Sequence, residues 1–190
     1  GILCLIGLLV WLQINGTAKL VALGSLALVA AYPFMKRITW WPQAWLGLVF
    51  SWGALVGWLA IAPQFHWAMV LLYLGSIFLV IGYDTIYALQ DKEDDAMVGI
   101  RSSALRLGDN VRSGVLLFYL AALGSWAAAF WMLRPQWLGL VALVPVGLHL
   151  FWQVATLKSG DGDDALAKFR SNRFAGLLMF LACLVLGQAG

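Results

Sequence analysis

Charge is what this sequence has least of. Only 11% of its 190 residues are Asp, Glu, Lys or Arg, while 63% are hydrophobic. A soluble domain is about a quarter charged and roughly half apolar, so the composition excludes a water-soluble globular domain. Two cysteines, Cys4 and Cys183, and two histidines, His66 and His149, are all the chain has of either type. Without metal-type spacing they exclude a disulfide scaffold and a thiolate or imidazole centre. Cys4 and Cys183 lie in apolar runs and are expected as buried small hydrophobes. No internal repeat, low-complexity tract or basic patch suited to nucleic acid is present. "SGDGDD", from Ser159 to Asp164, lacks the length and terminal Glu of a calcium loop and reads as a solvated turn.

Long apolar runs take the place of the missing charge. Seven are read: Gly1 to Ile14, Ala18 to Tyr32, Gln43 to Ala62, Trp67 to Tyr87, Val111 to Leu133, Trp137 to Leu157 and Phe174 to Gly187. A helix needs about 20 residues to cross a bilayer, so the first, second and seventh are short. With no water to satisfy backbone groups, uninterrupted runs of this kind must be helices. The expected fold is an all-α, polytopic transmembrane bundle, with residues 1–190 as a single domain. Gly24, Gly53, Gly57, Gly75 and Gly82 are read as sites of close helix packing.

The few charges are distributed unevenly. Ten basic residues fall in the connections after the second, fourth and sixth runs: Lys36, Arg37, Lys92, Arg101, Arg106, Arg112, Lys158, Lys168, Arg170 and Arg173. The opposite side has only Lys19 and Arg134. By the positive-inside rule the first set is cytoplasmic. Trp40, Trp41, Trp67 and Trp137 stand at helix ends, where aromatic rings anchor at the interface. This orientation puts Gly1 on the cytoplasmic side, directly at the start of an apolar run. The expectation is a chain preceded by further membrane-crossing helices.

Acidic residues are the scarcest of all and the most concentrated. Of nine, six lie between Tyr83 and Asp109: Asp84, Asp91, Glu93, Asp94, Asp95 and Asp109. Nothing between Asp84 and Asp95 is Gly or Pro. At about 100° per residue, spacings of seven and four place Asp84, Asp91 and Asp95 on one face of a continuous helix. Asp84 follows the apolar run "LGSIFLVIGY" and lies at membrane depth, where an ionisable group is costly and points to function. Clustered carboxylates repel one another and require a cation or basic partner. Oxygen ligands suit hard cations, and magnesium is commonly shared between carboxylates and substrate phosphates. Lys36, Arg37 and Arg101 on the same side suit an anionic substrate. A proton relay or ion carrier would need acids along other helices, and a non-catalytic scaffold would leave Asp84 without a purpose.

The segments "YDTIYALQDKEDD" and "GIRSSALRLGD" resemble the second aspartate-rich motif of the UbiA family of intramembrane prenyltransferases. "AYPFMKRITWWPQAWLG" is similar to that family's Tyr-Pro-x-x-Lys-Arg segment, and "FRSNRFAG" to the beginning of its last helix. The resemblance implies nine helices around a central cavity, of which seven are read here. It also implies a first motif, Asn-Asp-x-x-Asp-x-x-x-Asp, which has no counterpart in these residues; the expected whole enzyme has that motif on preceding helices.

The activity implied is magnesium-dependent transfer of a polyprenyl group from its diphosphate to 4-hydroxybenzoate, at the carbon ortho to the hydroxyl, in ubiquinone biosynthesis. Naphthoate, homogentisate or a porphyrin are the alternative acceptors. Position by position, Asp91 and Asp95 match the paired metal-binding aspartates, and Asp84 the acid two turns earlier. Lys36 and Arg37 match the basic pair expected on diphosphate or the aromatic carboxylate. Arg101, Ser102 and Asn172 are further substrate-binding candidates. Tyr32, Trp52, Tyr83 and Tyr87 are candidates to face the allylic cation. The implied location is a bacterial inner membrane, with the active face cytoplasmic and the lipid bilayer and two substrates as partners.

Overall fold

Stretches that are apolar on every side leave the backbone to satisfy its own hydrogen bonds, and the chain does so as helix throughout. The computed structural model describes residues 1–188, and no strand occurs among them. In chain order the helices are α1 (Ile2–Gln13), α2 (Gly16–Ile38), α3 (Pro42–Ile61), α4 (Trp67–Tyr87), α5 (Lys92–Val98), α6 (Ser103–Leu107), α7 (Val111–Leu133), α8 (Trp137–Ala142), α9 (Val144–Thr156) and α10 (Gly162–Gln188), with a 3₁₀ turn at Gly108–Asn110. Six helical segments are long and apolar enough to span a membrane: α2, α3, α4, α6 running into α7, α8 running into α9, and α10. The protein is an all-α polytopic helical bundle.

The seven expected spans therefore become six and a shorter apolar helix. At 12 residues, α1 reaches about 18 Å, well short of the roughly 30 Å hydrocarbon core, and it buries none of its residues. Two other runs are longer than expected. α2 continues through Pro33 to Ile38, which puts Lys36 and Arg37 on its last turn, where positive charge suits the exposed carbonyls. α10 begins at Gly162 rather than near Phe174, because the Asp161 carboxylate accepts from the Asp164 N–H (3.1 Å) and starts the helix. "SGDGDD" is thus an exposed turn at Ser159 and Gly160 that leads into a helix start at Gly162, and Lys168, Arg170 and Arg173 are helical residues. The sixth run breaks at Leu143. Pro145 has no N–H to offer the Val141 carbonyl, and the Leu143 N–H closes a tighter turn onto Leu140.

α4 and α7 form the centre, with α9 and α10 packed beside them around Ile86, Val115, Tyr119, Trp126, Phe130 and Leu150. The contact is close at two glycines. A β-carbon at Gly75 would overlap the Trp126 indole, and one at Gly82 the Tyr119 ring. Gly53 and Gly57, expected in the same role, face open space, so they pack against nothing in these residues. Cys4 and Cys183 are exposed, not buried, since in a membrane bundle the apolar surface faces hydrocarbon as well as core.

Buried polar groups tie the spans together. The fully buried Tyr119 hydroxyl donates to Gln153 Oε1 (2.6 Å). The other end of the Gln153 amide lies within hydrogen-bonding distance of His149, Ser171 and Asn172 (3.0–3.2 Å). One amide thus connects α7, α9 and α10. Farther out, Asn15 both caps α2 and donates to the Leu59 and Ala60 carbonyls at the end of α3. The Trp45 and Trp52 indoles donate from α3 to the Leu28 and Val21 carbonyls of α2.

The candidate active site

The basic connections meet at one end of the bundle. The Arg101 backbone N–H donates to the Lys36 carbonyl (3.2 Å), and Gly162, at the start of α10, packs against Gln90. Loops after α2, α4 and α9 therefore share a face, as the charge pattern requires.

At that face the chain leaves α4 in a way the sequence does not announce. A continuous helix from Asp84 to Asp95 is expected; instead α4 stops at Tyr87 and α5 starts at Lys92. The intervening residues form a tight turn, with the Leu89 and Gln90 N–H groups donating to the Ile86 and Tyr87 carbonyls. Ala88 and Leu89 are buried in the central core, and the chain turns there before α5 begins. Gly99, in the left-handed region at φ 74°, ends α5.

The three aspartates nevertheless come together. Asp84 from the last turn of α4, Asp91 from the turn and Asp95 from α5 line one cavity of about 70 Å³. Tyr32, Lys36, Gln43, Tyr87, Ala88 and Ser102 complete its wall. Asp91 also lines a wider groove outside, with Asp161 and Asp163, and so stands at the mouth. Burial holds the Asp95 carboxyl above its ordinary value. The Lys36 charge pulls it down, and Asp91 and Asp94 push it up. Among the described residues the ion pair present is Lys168–Asp164; Lys36 forms none with the cavity aspartates. Nor do any three Asp, Glu, His or Cys side chains converge closely enough to hold an ion by themselves. The cavity thus concentrates three carboxylates and one ammonium that do not neutralise each other directly, an arrangement that calls for a charged ligand.

Several expected site residues lie elsewhere. Arg37 is exposed at the end of α2, outside the cavity wall. The Arg101 guanidinium donates to the Ile38 carbonyl (2.9 Å) and lies 5.4 Å from the Trp40 ring centre. It ties the loop carrying Asp91 and Asp95 to the end of α2. Ser102 lines the cavity while its hydroxyl accepts from the Leu105 N–H and starts α6. Asn172 belongs to the Gln153 cluster, because its own amide N–H groups donate to the Lys168 and Phe169 carbonyls behind it. Tyr83 packs edge-on against Phe169, which also meets Tyr87 with ring centres 4.6 Å apart. Trp52 is committed to α2 and Tyr73.

Gln43 escaped the sequence reading. It is 3% exposed, lines the cavity, and accepts the Ser103 N–H on its Oε1 (3.1 Å). The signal available was a polar residue, just after Trp41 and Pro42, that opens an apolar helix.

At the basic end of a helical membrane bundle, clustered aspartates, a lysine and tyrosines thus surround one cavity. The chain belongs to the UbiA prenyltransferase family, which matches residues 1–184. It is similar to proteins named "4-hydroxybenzoate polyprenyltransferase, mitochondrial" in several organisms. The Arabidopsis thaliana protein is 41% identical over 190 residues, covering 100% of this chain and 46% of the relative. The Drosophila melanogaster protein is 43% identical over 183 residues, 96% of this chain and 46% of the relative. The Homo sapiens protein is 44% identical over 169 residues, 87% and 44% respectively. The chain spans about half the length of these curated relatives. No solved structure matches it significantly. The mitochondrial names of the relatives lend no support to the expected bacterial inner membrane.

Proposed function

We propose that the protein carrying this chain transfers a polyprenyl group from polyprenyl diphosphate to the ring of 4-hydroxybenzoate, the reaction of ubiquinone synthesis. The observation that carries this reading is the convergence of Asp84, Asp91, Asp95 and Lys36 on one cavity at the basic end of an apolar bundle. An isoprenoid tail suits the hydrocarbon-facing interior, and a diphosphate suits the charged mouth. The family and the printed names of the relatives support the same chemistry.

The donor set fits magnesium: three carboxylates supply only oxygen. No three of them converge on one point, so the carboxylates would hold such an ion only together with further oxygen ligands. When bound, magnesium neutralises charge on the departing diphosphate. Asp91 and Asp95 would hold the ion, with Asp84 on the same cavity wall. Lys36 supplies a fixed positive charge for the diphosphate oxygens. The C–O bond to the diphosphate breaks, and the allylic carbon becomes cationic. The ring carbon ortho to the acceptor hydroxyl then forms the new C–C bond, and loss of its proton restores aromaticity. Tyr32 and Tyr87 line the cavity, and a ring face turned to the cation would be worth up to about 2 kcal/mol when desolvated. The active face is the one with the basic loops: cytoplasmic in a bacterium, matrix-facing in a mitochondrion.

The test is an assay of the full-length gene product in membranes, with geranyl diphosphate, magnesium and each candidate acceptor in turn. The expected product is 4-hydroxybenzoate prenylated ortho to its hydroxyl, identified by mass and fragmentation. Turnover only with a naphthoate, homogentisate or a porphyrin would replace the acceptor, and no turnover with any would overturn the reading.

A further inference from the structure

We propose that Gln43 is a substrate-binding residue whose amide NH₂ donates to an anionic oxygen of the prenyl diphosphate; this rests on the transferase reading above. The buried Gln43 amide has two ends with different fates. Its Oε1 accepts the backbone N–H of Ser103 (3.1 Å), and a backbone N–H can be received only by the carbonyl end, so the amide orientation is fixed. The Nε2 end has no hydrogen-bond partner among the described residues. Neither is it fully occluded, unlike the two unpartnered buried side-chain atoms, Ser51 Oγ and Trp58 Nε1. It is therefore reachable, and the space that Gln43 lines is the cavity of Asp84, Asp91, Asp95 and Lys36.

A donor on a side chain this buried is costly to leave unpaired. The cavity's protein acceptors are the three carboxylates and the hydroxyls of Ser102, Tyr32 and Tyr87, and none of them takes the bond. An incoming phosphate oxygen would. The anchor for the amide is itself rigid: Ser103 is fully buried, and its hydroxyl pairs with Thr85 Oγ1 of α4 (2.6 Å). Gln43 thus offers a pre-oriented donor between α3, α4 and α6, which a flexible lysine cannot do.

Two isosteric changes separate binding from scaffolding, in the full-length gene product at pH 8. Gln43→Glu keeps an acceptor for Ser103 but replaces the donor by a carboxylate oxygen; Gln43→Met removes both. Both variants are expected to raise KM for geranyl diphosphate about tenfold or more, since a hydrogen bond to a charged group is lost. Gln43→Glu adds a fourth carboxylate to the cavity and should lower the thermal midpoint modestly, and KM for 4-hydroxybenzoate should change less in both. A raised KM in Gln43→Met with an unaltered KM in Gln43→Glu would reduce Gln43 to an anchor for α6 and overturn the proposal. A rise confined to 4-hydroxybenzoate would overturn it too, by moving the donor to the acceptor carboxylate. Absence of turnover in the unaltered protein would instead refute the transferase reading.

Discussion

Asp95 contributes to the site's pH dependence. Its carboxyl is raised by burial, lowered by Lys36 and raised by Asp91 and Asp94. A carboxyl with a raised pKa takes up its proton at a higher pH than a free one, and the protonated form no longer attracts a cation. Transfer should therefore fail on acidification earlier than ordinary carboxylates would dictate. Lys36→Met removes the one downward influence, so the acid limb of kcat/KM should move to higher pH. A limb that stays in place in a pH–rate profile would show that Asp95 does not govern it. At this scale the sequence was readable where charge is rare: Asp84, Asp91, Asp95 and Lys36 stood out against apolar surroundings and do share a cavity. Arg101 and Asn172 have their polar groups engaged outside the cavity, which the sequence does not show, because a polar side chain near a site looks alike whether it faces substrate or a carbonyl. Gln43 was invisible because neutral polar residues at helix starts are common.

The elements were legible in proportion to their length. α3, α4 and α7 match their apolar runs within a residue or so, since about twenty apolar residues admit one structure in lipid. The break after Tyr87 was not legible, because no Gly or Pro causes it; it accompanies burial of Ala88 and Leu89 and the tie between Arg101 and α2. Arg101→Ala should loosen that tie. Hydrogen exchange is expected to quicken across Lys92–Val98 while α4 and α7 stay protected, and unchanged exchange would show the tie to be incidental. Between the central spans, Gly82→Ala drives a methyl into the Tyr119 ring and should cost about 1–3 kcal/mol. Gln153→Met leaves the Tyr119 hydroxyl without its acceptor and should cost a similar amount. Adding Tyr119→Phe to the latter should recover part of the loss, measured by thermal unfolding in detergent, and a strictly additive double variant would contradict the coupling.

For the molecule as a whole, charge asymmetry and site position agree: the candidate site lies at the positively flanked end. With Cys4 and Cys183 replaced, a cysteine at Ser159 should react with an impermeant reagent from that side and one at Gln64 from the other; the reverse pattern would invert the bundle. The central claim is that the aspartate cavity between α4 and α5 holds the prenyl diphosphate through a cation. It is tested most directly by measuring prenyl transfer to 4-hydroxybenzoate in Asp91→Ala and Asp95→Ala forms of the full-length gene product, with magnesium and with EDTA, at matched membrane-inserted amounts. Each variant should lose about a hundredfold or more in turnover with magnesium, and the unaltered protein should lose its activity in EDTA. Turnover by both variants at the unaltered rate, persisting in EDTA, would contradict the account.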